Sequence, residues 1–74
     1  MNYLEVTAKF DGSGRIVPLS FILAGKRINI DRVSDARPAA SLKQGGQGMR
    51  YICRTGRHKY YLFCDDGKWF LDKI

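Results

Sequence analysis

Asp66-Gly67 stands between two apolar runs in a chain already divided into short pieces by glycine-bearing turns. Asp-Gly suits a type I′ turn, whose two central residues need positive φ, so it is among the strongest short-range hairpin signals. Asp11-Gly12-Ser13-Gly14 and Ala24-Gly25 read as further turns, because glycine tolerates positive φ and small polar side chains bond to the turn backbone. Between the turns the pattern is extended. Leu4, Val6, Ala8 and Phe10 alternate with Tyr3, Glu5, Thr7 and Lys9, the period of a strand with one buried face. Residues 15–23 form a second run, in which Pro18 lacks a backbone donor and predicts an edge strand or a bulge. Residues 26–33 form a third, with Ile28 and Ile30 facing in and Arg27, Asn29 and Asp31 facing out. Residues 49–54, 59–64 and 68–73 read as a meander, joined through Thr55-Gly56-Arg57-His58 and Asp66-Gly67.

Residues 34–48 admit two readings. Pro38 to Gln44 suits one short helical turn, with proline at its start and Gly45 just past its end. An irregular crossover suits it equally. Gly45-Gly46-Gln47-Gly48 is a loop. The 74 residues make a single domain, 1–74. At that length one core supplies only ~3–5 kcal/mol net, so most apolar residues are needed inside it. The expected fold is all-β and mainly antiparallel, a small SH3-like barrel or roll of about five to six strands.

Charge decides which face of the meander is core. The net charge is +6, and all of it falls between Ala36 and Cys64, where Arg37, Lys43, Arg50, Arg54, Arg57 and Lys59 occur with no Asp or Glu. A hairpin turning on Gly56-Arg57 sets Thr55 opposite His58, Arg54 opposite Lys59 and Cys53 opposite Tyr60. One face then carries Met49, Tyr51, Cys53, Tyr60, Leu62 and Cys64. The other carries Arg50, Ile52, Arg54, Lys59, Tyr61 and Phe63. Burying the second set would bury three cations without partners, a prohibitive cost, so the first set is core. Continuing through the Asp-Gly turn puts Trp69 and Leu71 inward and Phe70 opposite Phe63. A longer turn, from Asp65 to Gly67, puts Trp69 outward beside Phe63 instead. Either register leaves an aromatic pair on the exposed side.

The candidate binding face is therefore Arg50, Arg54, Lys59, Tyr61, Phe63 and Phe70, with Lys43, Gly45, Gly46 and Gly48 as an adaptable lip beside it. Cations on such a face neutralise phosphates and release counterions. Aromatics give unpaired bases a platform worth roughly 1–3 kcal/mol per stacked base. Nucleic acid is therefore one of two expected partners. The same residue types also suit a protein contact, including one with a second copy of the chain. They suit a solvated strand face too, since cross-strand aromatics stabilise sheets and strand cations block edge-to-edge aggregation. The run Lys-Gly-Phe/Tyr-Gly-Phe of cold-shock and RNA-recognition domains is absent, as is a helical GxxG loop.

Catalytic readings fare worse. Cys53-x4-His58-x5-Cys64 does not match a zinc knuckle. In the hairpin Cys64 falls opposite Met49, about 13 Å along the strand from Cys53. That exceeds the ~4.4–6.8 Å Cα span of a disulfide, so two free thiols packed as small apolar groups are expected. His58, the only histidine, sits at the hairpin tip and leaves neither cysteine a positioned base. The glycine cluster lacks the lysine of a phosphate-binding loop. The expectation is no enzyme, no catalytic residue, no cofactor and no metal. The longest apolar run, Phe21-Ile22-Leu23-Ala24, is far short of the ~20 residues that cross a bilayer, and no basic-then-apolar leader opens the chain. A cytoplasmic protein without a membrane partner is expected.

The segment Gly45-Gly46-Gln47-Gly48-Met49-Arg50-Tyr51-Ile52-Cys53, followed by Tyr61-Leu62-Phe63 and Trp69-Phe70-Leu71, resembles a family of short bacterial all-β proteins with no assigned activity. The resemblance extends back through residues 14–18 and 30–40. It implies a small bacterial accessory protein and carries no catalytic residue with it.

Overall fold

The computed structural model describes residues 3–40 and 47–72. They form seven strands: β1 (Val6–Phe10), β2 (Ile16–Leu23), β3 (Lys26–Asn29), β4 (Arg32–Ala40), β5 (Gln47–Thr55), β6 (His58–Asp65) and β7 (Lys68–Leu71). Two antiparallel sheets result, one ordered β1-β2-β3 and the other β4-β5-β6-β7. No described residue is helical.

The hairpins follow from their turn residues. Asp66 (φ 53°) and Gly67 (φ 79°) both lie at positive φ and join the pair Asp65–Lys68, as a type I′ turn requires. Ala24 (φ 52°) and Gly25 (φ 77°) do the same between Leu23 and Lys26. The β5–β6 register is the expected one, with Arg54 opposite Lys59, Cys53 opposite Tyr60 and Met49 opposite Cys64. The two-residue Asp-Gly turn sets Phe70 opposite Phe63 and Trp69 opposite Cys64.

The sheets pack across one core. Phe21 from β2 shares one buried cluster with Tyr51, Cys53, Leu62, Cys64 and Trp69, with Val6, Ile16, Ile28, Val33 and Met49 half-buried around them. Tyr51 also ties the sheets directly, its hydroxyl donating to the Ile16 carbonyl at 2.8 Å. Among the described residues, single backbone bonds join the sheet edges: the Leu4 amide donates to the Trp69 carbonyl (2.7 Å), and the Asp31 amide to the Arg54 carbonyl (2.8 Å). The molecule is thus seven strands in two sheets rather than a closed barrel of five or six.

Four sequence expectations need correction or completion. Residues 26–33 are not one strand. The Ile30 amide bonds to Leu19 in the first sheet and the next amide, of Asp31, bonds to Arg54 in the second, so the chain changes sheets there. Residues 38–40 are strand, not helix, and residues 41–44 of the expected helical turn lie outside the described residues. Pro18 is accommodated by a bulge rather than by an edge position: β2 is the central strand, Thr7 pairs with Ser20 and Ala8 with Pro18, and Leu19 is the extra residue. Finally, Phe10 is 74% exposed despite sharing the face of Val6. Phe10 lies at the end of β1, outside the buried cluster around Phe21.

Phe21→Ala should therefore lower stability by about 3–5 kcal/mol, enough to abolish the cooperative urea transition of so small a domain. Phe10→Ala should stay within ~0.5 kcal/mol of wild type in the same measurement.

Candidate functional site

The outward face of the second sheet is built in cross-strand rows. At the end near the β5–β6 turn, Arg32 of β4 lies opposite Arg54 of β5, which lies opposite Lys59 of β6, and all three are exposed. Neighbouring strands are ≈ 4.8 Å apart, so the row spans roughly 10 Å. Among the described residues the ion pairs are Arg15–Asp11, Arg37–Asp35 and Arg50–Asp72, so no member of the row takes part in one. The Lys59 ammonium lies 5.7 Å from the centre of the half-buried Tyr61 ring, a cation–π contact. Exposed Arg57 occupies the adjoining turn. The acid at this end, Asp31, is engaged with the backbone: its Oδ2 accepts from the Gly56 amide.

Sequence reading missed Arg32, because a single strand over 26–33 hid the change of sheet that sets it beside Arg54. No local sequence signal marks that change, which shows only in the long-range bonds of Ile30 and Asp31. Downstream, Ser34 is the extra residue of a second bulge, with Val33 opposite Cys53 and Asp35 opposite Ile52, and its hydroxyl donates to the Ile52 carbonyl at 3.3 Å.

The other half of the face differs from expectation. Phe63 (0% exposed) and Phe70 (4%) are buried, not presented to solvent. Their rings lie 5.2 Å apart, Tyr3 packs on Phe70 at 6.4 Å, and Phe63 sits between its cross-strand neighbours Arg50 and Phe70. An aromatic pair of that area gains more from being covered than from open water. Arg50 is likewise committed inward. Its Nε donates to the Asp72 Oδ2 at 3.1 Å and its Nη2 to the Ala40 carbonyl at 2.8 Å, and the Asp72 side chain is fully buried. Arg50 is a structural cation clamping the start of β5 to the end of β7.

Of the expected lip, Lys43, Gly45 and Gly46 lie outside the described residues. Gly48 belongs to β5, not to a loop. A Cβ there would overlap the Cys64 carbonyl and come within 3.1 Å of the Phe63 ring, so glycine is what lets the strands close over Phe63.

Between the β1–β2 turn and the inner side of β4 and β5 lies a cleft of about 700 Å³, lined by Ile16, Val17, Val33, Ala36, Met49 and Tyr51. Asp11 is on its rim. The Ser13 hydroxyl and the Arg15 amide donate to the Asp11 carboxylate and hold its pKa down at about 2.

The two cysteines are free and buried. Burial pushes the Cys53 thiol up to about 12 and the Cys64 thiol upward as well. No group of three or more His, Cys, Asp or Glu among the described residues is placed to hold a metal ion. No helix among them is long and apolar enough to cross a membrane. Searches for a matching family model, curated protein or solved structure found none.

Both thiols should resist a thiol-specific reagent at pH 8 in the native protein and react together once urea unfolds it. Rapid labelling of either cysteine in the folded state would contradict this packing.

Proposed function

We propose that the chain is a non-enzymatic cytoplasmic binding module that holds a nucleic-acid backbone against the row Arg32–Arg54–Lys59. One observation carries this reading: three like charges stand directly across neighbouring strands with no acid among them. Like charges directly opposite on a sheet are destabilising. A polyanion laid along the row relieves that repulsion, and each phosphate neutralised releases counterions. Arg57 extends the charge to the turn, while Arg37 and Arg50 are already engaged with Asp35 and Asp72.

A protein contact has less support. The aromatic anchors it would use, Phe63 and Phe70, are covered. The free edge of β4 carries a proline and a bulge, both of which oppose pairing with another strand.

The test is fluorescence anisotropy of a labelled duplex at ~50 and ~200 mM salt. Three phosphate contacts give a log–log slope of about −2.7, a roughly 40-fold loss of affinity between the two conditions. Arg54→Thr should flatten the slope by about 0.9 while leaving stability equal or higher, since it removes the middle charge of the row. Absence of binding at ~50 mM, or a slope unchanged by Arg54→Thr, would overturn the proposal.

A further inference from the structure

We infer that the nucleic acid held by this face is recognised as a duplex through its phosphates, with no contribution from stacked bases. The inference rests on the cation row as the binding site and goes on to name the form of the target.

Single-strand binders combine a basic groove with exposed aromatic platforms, because every unpaired base has a face to stack. The outward face of the second sheet carries Tyr61, Phe63 and Phe70. Phe63 and Phe70 are closed to bases: their rings pack on each other 40° apart, Tyr3 packs on Phe70, and they are 0% and 4% exposed. Tyr61 is half-buried, and Lys59 lies over its ring at 5.7 Å, so a base would have to displace a cation from the ring it needs. What remains open on this face near the turn is charge: Arg32, Arg54 and Lys59 in line across roughly 10 Å, with Arg57 beside them.

A site made of charge alone follows the charge density of its target. Duplex DNA carries a phosphate charge per ≈ 1.7 Å of axis, against a sparser single strand, and its salt slope is ≈ −0.9 per contact against ≈ −0.7. Three contacts from a common value at 1 M salt then make the duplex about sixfold tighter at ~50 mM. Base sequence should be immaterial, because flat sheet cations that reach only phosphates carry no base information.

The measurement compares a 5′-labelled single strand with its own duplex, at ~50 mM salt, using wild type and Tyr61→Leu. The expected result is a duplex about sixfold tighter than the strand, with Tyr61→Leu changing either affinity by less than about twofold. A single strand that binds as tightly as the duplex or tighter, or a loss of about fivefold or more for the strand in Tyr61→Leu, would overturn the inference while leaving the cation row as the binding site. Failure of both probes to bind at ~50 mM would remove the cation row as a nucleic-acid site and this inference with it. Circular dichroism of Tyr61→Leu checks that the fold is intact. If that variant unfolds, wild type with a competing unlabelled oligothymidine strand reads the form of the target: competition about sixfold weaker than by duplex supports the inference, and equal competition overturns it.

Discussion

Phe21 holds the two sheets together. Fully buried in the central strand of the first sheet, it meets Tyr60 edge-on at 5.3 Å and shares one cluster with Tyr51, Cys53 and Leu62 of the β5–β6 hairpin. That hairpin can offer only one of its faces, because the other carries Arg50, Arg54 and Lys59, and cations cannot enter the core without partners. Once the uncharged face turns toward Phe21, the alternation of the strands fixes every outward position. The cation row is therefore a consequence of how the core is filled.

The outward face then divides by the local alternatives open to each cation. Arg50, the cross-strand neighbour of Phe63, donates to the Asp72 carboxylate and the Ala40 carbonyl. Arg54 has no acid opposite it, only Arg32 on one side and Lys59 on the other. The same residue type is structural in one row and available for binding in another a few residues along the strand.

The strongest local rules made much of this legible in the sequence. Asp66-Gly67 located a hairpin and its type, the turn at Gly56-Arg57 set the register of β5 against β6, and the run of charge between residues 50 and 59 selected the core face. Cys53, Tyr51 and Leu62 went where that reasoning put them. What escaped it depends on contacts between distant segments. Nothing local marks the exit of the chain from one sheet at Ile30 and its entry into the other at Asp31, so Arg32 was not seen beside Arg54. Phe63 and Phe70 alternate as exposed residues should, yet Tyr3 from the other end of the chain and the Arg50–Asp72 pair close over them. Phe10 alternates as a buried residue should, yet it is exposed at the end of β1, outside the buried cluster around Phe21.

The most direct test of the cation row is amide chemical-shift mapping of the protein with an unlabelled short duplex at low salt. The account predicts shifts concentrated at Arg32, at Arg54 to Lys59 and at Tyr61, fading as salt is raised, with Phe63, Phe70 and the cleft around Ile16 and Met49 little changed. Shifts centred on Phe63 and Phe70 or on the cleft, or no salt-sensitive shifts at all, would contradict it.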